Sequence, residues 1–107
     1  MEPEQLTLYR LPVSNCCTGV VAALVHKCLP FTDAEPPGAY QEAATGAWRP
    51  GYGTPQYKAI VPAGTIPALV TGSGFVLSES TCCVEFIDEL APHPPLLPRE
   101  PVCRARY

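Results

Sequence analysis

The first thirty residues change from a strand pattern to a helix pattern. Strand-forming residues fill positions 6–10, and a stretch with a proline and small polar residues, 11–15, follows them. Over 16–28 the apolar and small residues recur at spacings of three and four, which puts them on one stripe of a helix. The pattern therefore predicts a strand, a loop and a helix, and then a short second strand over 29–32 that runs parallel to the first.

The rest of the chain predicts four more elements: two helices and two strands that form a hairpin. The stretch 33–53 is rich in proline and glycine, so we expect a long loop there. Residues 54–60 begin with a Thr-Pro pair, in which the threonine suits the cap and the proline the first position of a short helix. Residues 65–70 and 75–77 flank a Thr-Gly-Ser-Gly turn, which predicts a hairpin, and the apolar spacing over 80–90 predicts a helix.

This order of elements predicts the fold class. The succession β-α-β-α-β-β-α is that of an α/β, thioredoxin-like fold with a mixed four-stranded sheet. A chain of 107 residues has room for one hydrophobic core, so we expect one folded domain over 1–91. The segment 92–107 is rich in proline in its first half, which is the composition of a linker.

Composition and charge exclude several classes of protein. With 47% hydrophobic and 16% charged residues, the chain is expected to fold rather than to be disordered. A net charge of −3 and the lack of a dense basic stripe argue against a nucleic-acid partner. No apolar run approaches the roughly 20 residues that span a bilayer, and the acidic start lacks the features of a signal peptide. We therefore expect no membrane partner and a cytoplasmic location.

Cysteine and histidine are the residues that invite a metal or disulfide hypothesis. The cysteines form two adjacent pairs and two single positions: Cys16, Cys17, Cys28, Cys82, Cys83 and Cys103. No two of them have the CxxC spacing of a zinc site, and adjacent cysteines rarely bridge each other, so no metal is expected. We expect Cys82 and Cys83 to be small core residues, and His26 and His93 to lie at the surface.

Four segments, taken together, resemble the glutathione transferases over residues 6–106. They are Leu8-Tyr9 with Pro12 and Ser14, 54–57 continuing through 62–69, 77–80, and 86–90 followed by a linker-like 95–99. Their order and spacing are similar to those of the N-terminal domain of that family, closest to the serine-type theta- and zeta-like classes. The resemblance implies that 92–107 is the linker and the start of a truncated helical domain, and that the helical C-terminal domain of the family is absent.

The resemblance implies how a tripeptide would be bound. A serine that opens a helix, such as Ser80, is by itself most simply a cap, although a helix N-terminus also attracts a carboxylate. The resemblance assigns Glu79 and Ser80 to the γ-glutamyl end of glutathione. It also implies a cis bond before Pro67, which turns the Ile66 main chain toward the cysteinyl part. Thr65 stands where the family often has a lysine or glutamine for the glycyl carboxylate.

Ser14 is the candidate catalytic residue, because the resemblance matches it to the serine that activates the glutathione thiol. Its alternative role is that of a helix cap or an ordinary loop serine. Cys16 is a secondary candidate, because a helix N-terminus lowers a thiol pKa, but it could equally be a packed residue. Tyr9 lies inside the predicted first strand and is expected to be packed.

Two positions depart from the family pattern and weaken the expected site. Val61 stands where the family usually has an asparagine, and Gly19 where it commonly has a basic residue. With Thr65 in place of a lysine or glutamine, we expect the glycyl end to be held less well, unless Arg49 or Lys58 compensates.

The function implied by the resemblance is conjugation of the glutathione thiolate to a small electrophile, a detoxification reaction. Glutathione is then a co-substrate, no other cofactor is needed, and a homodimer is the expected assembly. Catalysis requires that the chain or its assembly supply the missing second domain. Two other functions stay open: a non-catalytic binding or assembly module, and a glutathione-dependent thiol reductase that uses Cys16.

Overall fold

A computed structural model describes residues 5–12 and 14–106. Val13 of the predicted first loop, Tyr107 at the predicted start of the helical domain, and residues 1–4 lie outside the described residues. The elements are β1 (Leu6–Tyr9), α1 (Asn15–His26), β2 (Thr32–Ala34), β3 (Tyr40–Gln41), β4 (Trp48–Arg49), α2 (Pro55–Lys58), β5 (Ala68–Thr71), β6 (Val76–Leu77), α3 (Ser80–Leu90) and α4 (Pro101–Ala105). Within the described ranges, none of the helices is both long and apolar enough to cross a membrane.

The main sheet confirms the predicted fold class. It has four strands in the order β2-β1-β5-β6. β1 runs parallel to β2 and antiparallel to β5, and β5 runs antiparallel to β6, so the sheet is mixed. The parallel pair β1–β2 is joined through α1, as a crossover connection requires, and the antiparallel pair β5–β6 is joined by the short turn after Thr71.

The two faces of the sheet bury different residues because side chains alternate along each strand. Helices α1 and α3 cover one face, and the buried residues there are Leu6, Leu8, Val20, Ala23, Leu24, Leu69, Cys83 and Ile87. The other face holds a smaller cluster around α2, formed by Tyr57, Val61 and Ala68. Thr54 caps α2 as expected, its hydroxyl accepting a hydrogen bond from the Tyr57 N–H at 3.2 Å.

The predicted loop over 33–53 is not loop throughout. It contains the β3–β4 pair, in which Tyr40 is opposite Arg49 and Gln41 is opposite Trp48. A salt bridge of 2.6 Å between Arg49 Nε and Glu42 Oε2 closes this small hairpin. Pairs of two residues each have no alternation to detect, which is why the sequence pattern missed them.

Three boundaries and one side chain also differ from expectation. The second strand begins at Thr32, because Leu29 and Phe31 pack against the core instead. β5 begins at Ala68, one residue after Pro67, which has no N–H to donate to a ladder. α1 ends at His26, before the predicted limit. Cys83 is buried as expected, but Cys82 is exposed, so its assignment to the core was wrong.

A buried ion pair fastens the proline-rich segment to the domain. Lys27 Nζ lies 2.9 Å from Asp88 Oδ1, and both side chains are fully inaccessible to solvent. Lys27 also donates to the main-chain oxygens of Ala91 and Pro94, and Asp88 Oδ1 accepts from the Leu96 N–H at 2.8 Å. We call Lys27, Asp88 and these main-chain partners the linker clasp. It joins the end of α1, the end of α3 and the linker at one point.

A further cation lies beside the second carboxylate oxygen of Asp88, which accepts no hydrogen bond from the described residues. Arg99 places its Nη1 3.1 Å from Asp88 Oδ2, and its Nη2 donates to the Pro92 oxygen. Burial acts to raise the pKa of the Asp88 carboxyl, but the Leu96 N–H, Lys27 and Arg99 outweigh it and lower the pKa to about 2. Asp88 is therefore ionised at neutral pH although it is buried.

Candidate functional site

The segments singled out in the sequence meet at one end of the main sheet. β1 ends where β5 begins, since Tyr9 is opposite Ala68. β6 ends beside the same place, since Leu77 is opposite Leu69. The loops after β1 and β6 and the turn before β5 therefore share that end, and with them the predicted site residues Ser14, Thr65, Ile66, Pro67, Glu79 and Ser80.

Ser14 lies directly before α1 with an extended backbone, at φ −83° and ψ 121°. It occupies the cap position, but its side chain makes no capping hydrogen bond. Its main-chain oxygen instead accepts from the Cys17 N–H and from the Thr18 hydroxyl. The hydroxyl of Ser14 is thus not used by the helix whose start it marks.

The first turn of α3 has a similar arrangement. Glu79, and not Ser80, is in the cap position, and Ser80 is the first helical residue. No side chain caps this helix, so the first N–H groups of α3 have no side-chain acceptor. The interpretation of Ser80 as a cap alone is therefore wrong. Two helices of 12 and 11 residues begin at the same end of the sheet with uncapped N-termini.

The turn before β5 contains the expected cis bond between Ile66 and Pro67. Tyr57 holds this turn, because its hydroxyl donates to the Thr65 oxygen at 2.8 Å. Burial, together with the neighbouring Tyr9 and Cys17, raises the pKa of Tyr57, so its phenol stays protonated and keeps donating. Over residues 5–12 and 14–106, the Ile66 main chain has no hydrogen-bond partner.

A cavity of about 550 Å³ opens between the first turns of α1 and α3. Its lining residues are Asn15, Cys16, Gly19, Val20, Ser80, Thr81, Val84, Glu85, Leu97 and Arg104. Of the predicted site residues, Cys16 and Ser80 line the cavity, and Ser14 and Glu79 precede lining residues in the chain. Thr65, Ile66 and Pro67 are not part of its wall.

The cavity also contains a side chain that the sequence interpretation missed. Arg104 reaches it from α4, a helix whose first N–H groups are capped by the carboxylate of Glu100. A signal was present, because Pro101 fits the first position of a helix. Nothing in the sequence indicated that this helix would return to the start of α3.

The sequence profile described as the glutathione S-transferase N-terminal domain matches residues 13–90. The chain belongs to this family. Among its relatives, glutathione S-transferase Z1 of Arabidopsis thaliana is 34% identical over 97 residues, which cover 91% of the chain and 39% of the relative. Maleylacetoacetate isomerase of Pseudomonas aeruginosa is 40% identical over 52 residues, which cover 49% of the chain and 24% of the relative.

Solved structures agree with this assignment. A glutathione transferase homologue from Sulfitobacter, solved with bound glutathione, matches with a TM-score of 0.76 at 27% identity. The match covers 95% of the chain and 44% of that structure. The chain thus spans less than half the length of these relatives. Family and fold confirm the predicted transferase N-terminal domain.

The departures from the family pattern have visible consequences. Gly19 lines the cavity, and a Cβ built on it would meet nothing within 4 Å, so the cavity is wider there than with a larger residue. Val61 is fully buried in the cluster around Tyr57, where an apolar side chain packs well. Arg49 is paired with Glu42, and the Lys58 side chain lies over Gly64.

Proposed function

We propose that this chain is the glutathione-binding domain of a glutathione transferase, an enzyme that joins the glutathione thiol to a small electrophile. The observation that carries the proposal is the pair of uncapped helix N-termini at one end of the sheet. Free N–H groups and the positive end of the helix dipole attract anionic groups, and glutathione has two carboxylates and a thiolate. The relative from Sulfitobacter, which was solved with glutathione, supports the same ligand.

The γ-glutamyl end of glutathione carries a carboxylate and an ammonium group. The hydroxyl and N–H of Ser80 complement the carboxylate, and the exposed carboxylate of Glu79 complements the ammonium. The main chain of Ile66, which has no partner in the described ranges, pairs with the cysteinyl part as an added strand would. Thr65, also exposed, faces solvent beside it and serves the glycyl end.

Ser14 supplies the chemistry in this proposal. The glutathione thiol must lose its proton before its sulfur can attack an electrophilic carbon and displace the leaving group. A donor hydroxyl and the N-terminus of α1 stabilise the thiolate and lower its pKa. The Ser14 hydroxyl is suitable because it lies at that N-terminus and makes no capping bond.

The proposal extends to the assembly and the location of the protein. We propose a homodimer, as in the family that the profile describes. All six cysteines are free thiols, which suits a reducing compartment such as the cytoplasm.

Isothermal titration calorimetry with glutathione tests the binding site. We expect wild-type protein to bind at millimolar or lower concentration, and Ser80→Ala to raise the Kd about tenfold through the lost hydrogen bond. Ser73→Ala is the matched control, because the Ser73 hydroxyl contacts Thr71 in the turn between β5 and β6, at the other end of the sheet. No binding by the wild type, or an equal loss in the control, would reject the proposal.

The ultraviolet absorbance of bound thiolate tests the role of Ser14. Ser14→Ala should leave the glutathione Kd within about twofold, abolish the thiolate signal at neutral pH and slow conjugation roughly 10²-fold. Cys16→Ser, at the second residue of the same helix, is the comparison and should keep the thiolate signal. If Ser14→Ala loses binding and conjugation to the same extent, Ser14 binds glutathione without activating it.

A further inference from the structure

Arg104 lines the cavity without a salt-bridge partner among the described residues, whereas three other arginines are paired with carboxylates. Arg10, Arg49 and Arg99 each form a salt bridge, to Asp33, Glu42 and Asp88 respectively. Arg104 forms none among residues 5–12 and 14–106, although it is half-buried and lines the cavity. Its guanidinium keeps its charge at any physiological pH. None of the carboxylates in the described ranges lies within salt-bridge distance of it.

The position of Arg104 is fixed at two points. Glu100 caps α4, accepting hydrogen bonds from the N–H groups of Val102 and Cys103 at 3.1 and 2.8 Å. Upstream, the linker clasp holds the segment that leads to α4, through the Leu96 N–H bonded to Asp88. The next residue, Leu97, lines the cavity together with Arg104. The linker and α4 therefore form one wall of the space in which Ser80 begins α3.

The charges and the size of the cavity define what it can hold. Glu85 is the other charged lining residue, and within the described ranges it also forms no salt bridge. A volume of about 550 Å³ lies within the range of small-molecule sites. A guanidinium binds a carboxylate through two parallel hydrogen bonds, and glutathione, the proposed ligand, carries two carboxylates.

We propose that Arg104 is a carboxylate-binding residue of this site. The inference rests on the proposed binding of glutathione and adds a residue from outside the matched range 13–90. The carboxylate has two sources: the γ-glutamyl group, whose proposed partner Ser80 lines the same cavity, or an acidic electrophile that enters beside Cys16. In the second case, Arg104 selects electrophiles that carry a carboxylate.

The test compares Arg104→Ala with Arg104→Lys and with Arg106→Ala. Arg106 follows α4, is exposed and is not part of the cavity wall, so its variant controls for the loss of one positive charge. Calorimetry measures the Kd of four ligands. They are glutathione, γ-aminobutyryl-cysteinylglycine, which lacks the γ-glutamyl carboxylate, S-carboxymethylglutathione and S-ethylglutathione. Thermal unfolding of each variant verifies that the fold is kept.

The ligands separate the two sources. If Arg104 holds the γ-glutamyl carboxylate, Arg104→Ala raises the glutathione Kd about tenfold and changes the Kd of the decarboxylated analogue less than about twofold. If it holds a carboxylate of the electrophile, Arg104→Ala leaves glutathione unchanged and weakens S-carboxymethylglutathione about tenfold relative to the S-ethyl compound. Arg104→Lys, which keeps the charge, should recover part of either loss.

Two results would overturn the inference. One is that Arg104→Ala leaves all four Kd values unchanged while wild-type protein binds glutathione. The other is that Arg106→Ala has the same effect as Arg104→Ala, since a general charge effect would then explain both. Failure of the wild type to bind any of the four ligands is a separate outcome, and it rejects the proposed function itself.

Discussion

Two salt bridges of nearly equal length belong to opposite kinds of region in this molecule. Lys27 and Asp88 lie 2.9 Å apart with side chains that are 0% exposed, whereas Arg49 and Glu42 lie 2.6 Å apart with side chains that are 49% and 34% exposed. Solvent and salt screen the exposed pair, Arg49 and Glu42, so its net contribution to the stability of the fold is small. In the interior, each charge depends on its partner because no water can replace it. The burial of the two side chains, and not the distance between them, therefore decides how much each pair contributes to stability.

The regions around the two pairs differ in the same way. The clasp lies where α1, α3 and the linker meet, next to the main core. The β3–β4 hairpin exposes its side chains, with Trp48 72% accessible, and its two-residue strands bury no apolar residue. We therefore expect the first region to determine stability and the position of α4, and the second to tolerate substitution.

The largest expected difference is between the two ion pairs themselves. Lys27→Met leaves the Asp88 carboxylate buried without its main cation and should cost about 3–5 kcal/mol of unfolding free energy. Glu42→Gln, the corresponding change in the exposed pair, should cost about 0.5 kcal/mol. Urea denaturation followed by circular dichroism measures both. Similar losses in the two variants would mean that burial does not separate the pairs.

The second difference concerns apolar side chains. Leu24 is fully buried between α1 and the sheet, so Leu24→Ala should cost about 3 kcal/mol through lost contacts and the remaining cavity. Trp48 is a larger side chain, but Trp48→Ala should change stability by no more than about 0.5 kcal/mol because the indole is exposed. The same denaturation curves provide the measurement. A cost for Trp48→Ala above about 1.5 kcal/mol would show that something covers the hairpin.

The third difference is in the response to acid. The pKa of Asp88 is lowered to about 2 in the folded protein from the model-peptide value of 3.8, so the unfolded chain takes up this proton first. The resulting stabilisation is complete above about pH 5 and is lost progressively as the pH falls toward 1, with roughly 2 kcal/mol of it lost between pH 4 and pH 2. Denaturation midpoints at pH 4 and pH 2 measure the loss. Asp88→Asn should flatten this part of the profile, and an unchanged profile would contradict the assignment.

The smallest expected effect is a gain at the end of α1. Cys28 has φ 55°, which favours glycine, and its N–H and that of Leu29 bond back to Val25 and Leu24 in a helix-terminating motif. Cys28→Gly should therefore raise stability by about 1 kcal/mol. Cys103→Gly is the matched change inside α4 and should lower stability by about 1 kcal/mol. Equal effects of the two substitutions would exclude the positive φ of Cys28 as the cause of the gain.

Local patterns were sufficient where neighbouring residues show a clear periodicity or a helix-capping pair. The bounds of α3 follow from the apolar spacing after Glu79, and the cap of α2 follows from Thr54 and Pro55. The hairpin at Tyr40 and Trp48 escaped prediction because two-residue strands have no periodicity. Cys82 was misplaced because adjacent helical positions point in different directions, and only the packing decides which of them is buried.

The sequence by itself determined the order of the main elements, the thioredoxin-like fold and the loops that carry the predicted site residues. These features depend on local propensity and on the limited set of ways to connect strands and helices. Only the tertiary structure decided that Lys27 bonds to Asp88, 61 residues away, and that Arg104 returns to the cavity beside Ser80. Such pairings depend on burial and on the path of a proline-rich segment, which no local pattern of residues encodes.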